Sequence, residues 1–137
     1  MELLRAHGID PAGRRVTVVG RSLVIGRPAA LLLTRADATV TLCHRKTPDL
    51  AARCRDADIL LAAAGAPGLI TTDFVRPGQI VLDAGATALP DGTLRGDVAP
   101  DAAAIAVCTP VPGGIGSVTT ALLLRHTVQA AENLRHF

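Results

Sequence analysis

The stretch Val16-Thr17-Val18-Val19-Gly20-Arg21-Ser22-Leu23-Val24-Ile25-Gly26-Arg27-Pro28 constrains the fold more than any other part of the chain. A valine-rich run ends at Gly20, a second glycine follows six residues later, and the Ala/Leu-rich run Ala29–Leu33 comes straight after. A short apolar run, a glycine turn and a helix-forming run describe a buried strand, a tight turn and a helix. In an α/β sheet such a first turn aims backbone N–H groups and a helix N-terminus at a ligand's phosphates. The stretch therefore reads as the phosphate-binding turn of a nucleotide-binding domain. Its spacing is Gly-x-x-x-x-x-Gly rather than G-x-G-x-x-G. The same residues also fit a plain strand-to-helix turn that needs glycine for its backbone angles.

The remaining pattern repeats this alternation. Strands are expected at 15–19, 39–43, 57–63, 79–84 and 104–108, and helices at 2–7, 26–35, 48–55 and 118–134. Gly8 closes the first helix, Thr47 is the expected N-cap of the third, and 72–75 forms a short helical turn. Asp91-Gly92 makes a tight turn between two short extended pieces. Apolar strands alternating with helices imply an α/β fold with a mostly parallel sheet and helices on both faces. The whole of 1–137 reads as one domain, since this length is enough for a single core. The last helix carries an apolar arc wider than one face, with Leu123, Leu124, Val128, Ala131 and Leu134. Such an arc is either a broad core-facing surface or one that covers another domain or subunit.

Composition excludes several classes of function. With 49% hydrophobic and 19% charged residues the chain is globular. Phe74 and Phe137 are its only aromatic residues, so it has no stacking platform for single-stranded nucleic acid. A net charge of +2 does not call for a polyanionic partner. No run is long enough to span a membrane, and neither the opening residues nor the cysteines suggest secretion. Cys43, Cys54 and Cys108 are expected to be reduced, in a cytoplasmic protein. His7, His44, His126 and His136 show no zinc-ligand spacing, so no metal site is expected.

The end of the second strand bears on cofactor choice, although its basic residues also fit a plain solvated turn. A dinucleotide fold that binds NAD places Asp or Glu there, on the ribose 2′-hydroxyl. Here the residues are His44, Arg45 and Lys46. Guanidinium and ammonium groups attract the extra 2′-phosphate of NADP, which a carboxylate would repel. Arg21 approaches from the first turn, and Ser22 adds a hydroxyl. The loops Ala64-Gly65-Ala66-Pro67-Gly68 and Asp83-Ala84-Gly85-Ala86-Thr87 lie after strands, where ligands bind in this architecture. No nucleophile elbow or suggestive carboxylate pair is present, so no catalytic residue is assigned.

Taken in order, several motifs resemble one family. They are Gly20-Arg21-Ser22-x-x-Ile25-Gly26-x-Pro28, Cys43-His44-Arg45-x-Thr47, Ala57-Asp58-Ile59, Pro77-Gly78, Asp83-x-Gly85, Gly96-Asp97-Val98 and Thr109-Pro110-Val111-Pro112-Gly113-Gly114-Ile115-Gly116. The family is the bifunctional methylenetetrahydrofolate dehydrogenase/methenyltetrahydrofolate cyclohydrolase. The resemblance covers essentially the whole chain and implies a Rossmann-type three-layer α/β/α domain, the family's NADP-binding half. It implies hydride transfer from 5,10-methylenetetrahydrofolate to NADP, then hydrolysis of the methenyl product. It places cofactor contacts at Gly20, Arg21, Ser22, Arg45 and Ala86, and Pro112, Gly113 and Gly114 by the cleft between cofactor and folate. Gly65, in a loop whose glycines let backbone approach a nucleotide, completes the expected cofactor-binding set.

The chain departs from the family pattern at Ala86-Thr87 and Ser117-Val118, where a bulkier Ile-Asn and Pro-Met are usual. It contains no tyrosine, and its one lysine, Lys46, belongs to the second-strand turn. The family's catalytic lysine and its pterin-stacking tyrosine belong to a folate-binding half that the resemblance does not cover. That absence implies a chain without turnover of its own. Folate would be bound only with a complementary half, and a homodimer or partner subunit is a further expectation. The alternative is a nucleotide-binding or interaction module that has lost the family's chemistry.

Overall fold

The computed structural model describes residues 1–134. Helix α1 (Glu2–Ala6) leads to strand β1 (Arg15–Val19), helix α2 (Gly26–Thr34), strand β2 (Thr39–Cys43), helix α3 (Leu50–Asp56) and strand β3 (Ile59–Ala62). A 3-10 turn at Thr72–Phe74 precedes β4 (Ile80–Asp83), the short pair β5 (Thr87–Ala88) and β6 (Leu94–Arg95), helix α4 (Pro100–Ile105), strand β7 (Val107–Cys108) and helix α5 (Ile115–Leu134).

Five strands form one parallel sheet in the order β2-β1-β3-β4-β7, and β5 and β6 form a separate antiparallel pair. The chain runs from β2 back across β1 to β3, so the topological switch point lies between β1 and β3. Ligands of open α/β sheets bind at such a point, outside the carboxyl ends of the strands.

The two-residue period of the strands divides the core. Val16, Val18, Ile59 and Leu61 pack with Leu4 of α1 and Leu33 of α2. Their neighbours Val19, Leu60 and Ala62 pack on the other face with Cys54 of α3 and Ala102 of α4. All four residues of β3 are buried, as a central parallel strand requires. The result is the expected Rossmann-type three-layer α/β/α arrangement. Helix α1 closes as the glycine predicts: Gly8 has φ of 65°, and Ile9 N–H donates to the Leu4 carbonyl at 2.9 Å.

Three local expectations need correction. Thr47 is not an N-cap; its hydroxyl accepts the His44 N–H at 2.9 Å, tying the turn after β2, and α3 begins after Asp49 in a left-handed conformation. The expected strand at 104–108 is two residues long, because Pro100–Ile105 forms a helix with proline in its first turn. Helix α5 starts three residues earlier than expected, at Ile115, and is not core-facing along its length. Ile115, Val118 and Leu122 are half-buried at helical spacing, whereas every residue from Leu123 to Leu134 is exposed.

Candidate functional site

The expected site residues all lie in segments that follow parallel strands. Gly20, Arg21 and Ser22 follow β1, Arg45 follows β2, Gly65 follows β3, Ala86 follows β4, and Pro112, Gly113 and Gly114 follow β7. Strand direction alone gathers these residues at one end of the sheet.

Close backbone contact sets the first turn. Gly20 has φ of 117°, and a side chain there would overlap the carbonyl oxygen of Ala63, so the loops after β1 and β3 meet at the switch point. A side chain on Gly26 would overlap the Gly20 carbonyl oxygen. Both glycines are therefore sterically required, and the irregular spacing reflects a turn that folds back on its own start.

Ser22 organises the start of α2. Its Oγ accepts N–H groups from Ile25 at 3.1 Å and Gly26 at 3.4 Å, and its carbonyl accepts from Arg27 at 3.0 Å. Pro28 has no N–H to offer. The amides expected to face a phosphate from the helix itself are thus already used. Among the described residues, those of Arg21, Ser22, Leu23 and Val24 have no intramolecular acceptor. An anion at this turn would meet that four-residue segment and the positive end of the α2 dipole. The Ser22 hydroxyl keeps its proton to donate.

The Gly20 N–H donates to the Cys43 carbonyl at 2.9 Å, so the basic turn after β2 lies beside this one. Arg21, Arg45 and Lys46 are exposed, and among the described residues none of the three pairs with a carboxylate. The turn carrying Arg45 is fixed by Thr47 and by Lys46 N–H donating to His44 Nδ1 at 3.2 Å.

A second region adjoins these turns. An open groove of about 790 Å³ runs between the start of α2, the β4 loop and the start of α5. Ala86, Pro112, Gly113 and Gly114 line it, together with apolar Val24, Ile25 and Leu32. Gly20, Arg21, Ser22, Arg45 and Gly65 are not among its lining residues. The expected residues therefore form two neighbouring groups, one polar and cationic, the other apolar. A nucleotide with a charged end and a flat, weakly polar ring would match that division.

Two buried carboxylates underlie the site, and sequence reading gave them no role beyond their motifs. Asp83 and Asp97 are 3% and 0% exposed, and backbone N–H groups of the β3 and β4 loops hold them. The signal that could have found them is an aspartate beside a glycine at each strand end, Asp83-x-Gly85 and Gly96-Asp97. A Cβ on Gly85 would crowd the Asp97 carboxylate, and one on Gly96 would overlap that of Asp83. Among the described residues, no cluster of His, Cys, Asp or Glu could hold a metal ion, and no helix is long and apolar enough to cross a membrane.

Comparison with known proteins agrees with this geometry. Residues 1–135 match the family model described as tetrahydrofolate dehydrogenase/cyclohydrolase, NAD(P)-binding domain. The chain is 61% identical over 133 residues to bifunctional protein FolD 1 of Rhodococcus jostii, covering 94% of this chain and 44% of that protein. It is 56% identical over 134 residues to bifunctional protein FolD of Chloroflexus aurantiacus, covering 95% and 46%. Among solved structures, the FolD methylenetetrahydrofolate dehydrogenase/cyclohydrolase of Campylobacter jejuni superposes with a TM-score of 0.92 at 43% identity, covering 97% of this chain and 48% of that one. The Trypanosoma brucei enzyme, solved with NADP cofactor and an inhibitor, gives 0.84 at 44% identity, covering 93% and 46%. The chain thus spans about half the length of the curated relatives it matches. It belongs to the tetrahydrofolate dehydrogenase/cyclohydrolase family, as that family's NAD(P)-binding domain.

Proposed function

We propose that these residues form one cofactor-binding domain that holds NADP for a methylenetetrahydrofolate dehydrogenase/cyclohydrolase of folate one-carbon metabolism. The observation that carries the reading is the pairing of four amides at Arg21–Val24 with three cations, Arg21, Arg45 and Lys46, all without a partner among the described residues. The amides and the α2 dipole suit the pyrophosphate, and Arg45 suits the 2′-phosphate. Ala86 and Pro112–Gly114 would then bound the nicotinamide, in the groove whose apolar walls exclude water from the ring face. When bound, NADP supplies the hydride acceptor. The chain's own contribution is to fix the position and orientation of that acceptor.

The folate side is assigned to a separate half, in keeping with the share of its relatives that this chain spans. The exposed apolar face of α5, with Leu123, Leu124 and Val128 at 67%, 65% and 58% exposure, supports a second structural unit or subunit packing there.

Titration of the 137-residue chain with NADPH, followed by assay with 5,10-methylenetetrahydrofolate, tests the assignment. Cofactor binding without hydride transfer is expected, with activity appearing when a folate-binding half is added in trans. Turnover by the chain alone would refute the division of labour. Activity that stays at background with the added half would favour a module that has lost its chemistry.

A further inference from the structure

Six backbone amides converge on Asp83 and Asp97. Asp97 Oδ2 accepts from Ala64 at 2.6 Å and Gly65 at 3.0 Å, and its Oδ1 accepts from Ala66 at 2.8 Å. Asp83 Oδ1 accepts from Gly85 at 2.9 Å and from the amide of Asp97 itself at 3.0 Å, while its Oδ2 accepts from Val98 at 2.9 Å. One network therefore joins the loops after β3, β4 and β6. Only N–H donors face the four oxygens, and no cation pairs with either group among the described residues.

The packing leaves this network no slack. A Cβ on Gly85 would stand 2.6 Å from Asp97 Oδ1, and one on Gly96 would overlap Asp83 Oδ2. Amide-to-carboxylate bonds are charge-assisted, and losing an acceptor in a buried site strands its donors. The loops are accordingly held by bonds that are costly to stretch.

Two consequences bear on the site. The amides of Ala64–Ala66 are committed to Asp97, so this loop meets a ligand through Cα and carbonyl groups and leaves anion binding to Arg21–Val24. The position of Ala86, on the groove wall, is set through Gly85 by Asp83, whose Oδ1 also holds the Asp97 amide.

We propose that Asp97, acting with Asp83, is a positioning residue for the nicotinamide half of the cofactor. It holds segments 64–66 and 85–86 in fixed relation, and the network's hydrogen bonds reach neither Arg21–Val24 nor Arg45, the groups assigned to the phosphates. The inference rests on the NADP assignment above.

The test is Asp97→Asn in the 137-residue chain, because a carboxamide turns an N–H₂ group toward amides that need an acceptor. Two ligands are titrated by calorimetry: NADPH, and 2′,5′-ADP, which carries the 2′-phosphate but no nicotinamide. Amide exchange is followed in parallel. NADPH affinity should fall at least tenfold, with 2′,5′-ADP affinity unchanged within twofold. Exchange should rise at 64–66 and Gly85 but not at Gly20, Ile25 and Gly26, whose amides are bonded in the first turn. Gly96→Ala, which displaces the Asp83 carboxylate without removing Asp97, should give the same split and serves if the Asn variant does not fold. Equal loss for both ligands, unchanged NADPH binding, or loss of fold in both variants would overturn the proposal. If the unsubstituted chain binds neither ligand, the NADP assignment itself fails and this inference with it.

Discussion

Gly20 and Gly26 are in backbone contact: a side chain on Gly26 would collide with the Gly20 carbonyl oxygen, and one on Gly20 with the carbonyl oxygen of Ala63. The turn after β1 is therefore closed on one side by its own helix and on the other by the β3 loop. Backbone atoms cannot yield as the tip of a flexible side chain can. Gly26→Ala should cost about 1–3 kcal/mol in urea unfolding, as overpacking in a tight site does, and should weaken NADPH binding as well. Gly116, with open space around its Cα, is the control. Gly116→Ala should change stability by less than about 1 kcal/mol.

Arg45 is exposed and has no carboxylate partner among the described residues, so its guanidinium is available to a 2′-phosphate. Arg45→Ala should weaken NADPH binding by about 1.5–3 kcal/mol, roughly 10- to 150-fold. NADH, which lacks that phosphate, should lose far less. Equal losses in parallel fluorescence titrations would remove Arg45 from the 2′-phosphate site.

At the opposite end of the sheet, Asp58 accepts the Arg15 N–H at 3.0 Å and meets the guanidinium groups of Arg15 and Arg76. The Arg15 N–H, then the Arg15 guanidinium, hold the Asp58 carboxyl below its usual range. A group depressed in the folded state stabilises above its unfolded pKa, near 4, and loses that contribution as pH falls through the folded value. Because these side chains are partly solvated, the effect at pH 7 should be about 1 kcal/mol or less. Melts of wild type and Asp58→Asn should differ in Tm at pH 6 and converge as pH is lowered below 4.

Burial pushes the Cys54 thiol up to about 12 and the Cys108 thiol up to about 11, with smaller contributions from the charge of Cys43 and of Asp83 respectively. Groups raised in the folded state favour folding below their unfolded pKa, about 9, and that contribution is lost as pH rises through the folded values. Stability should therefore decline from about pH 9 upward. In native protein at pH 8, Cys54 should react with a thiol reagent far more slowly than in urea. Rapid native labelling would show that α3 opens locally.

Sequence patterning located β1 and β2 at their observed bounds: β1 is a valine-rich run ending at Gly20, and β2 alternates Thr, Val and Thr between the Asp37 turn and the basic run His44–Lys46. It missed α4, since Ala102 to Cys108 is one unbroken apolar run and nothing in it marks the change from helix to strand at Ala106. The loops carrying the site were legible from glycine and strand direction. The partners within them were not. Thr47 reaches back to His44 instead of forward to α3, and Asp97 reaches 33 residues back to Ala64. Such pairings depend on which loops the sheet order brings together, a long-range outcome that local spacing does not encode.

The packed stripe of α5 ends at Leu122, and the twelve residues beyond it are all exposed. At 1.5 Å per residue they extend about 18 Å. Unwinding them uncovers little new apolar surface, so apart from the exposed Arg125–Glu2 ion pair at 3.6 Å their opening should follow helix propensity more than burial. In hydrogen exchange under mild urea, their amides should show rates nearly flat in denaturant, while Val18 and Leu60 in the central strands track global unfolding. The chain should then unfold as two units of unequal cooperativity, and a core substitution that lowers the stability of the sheet should leave the end of α5 as it was.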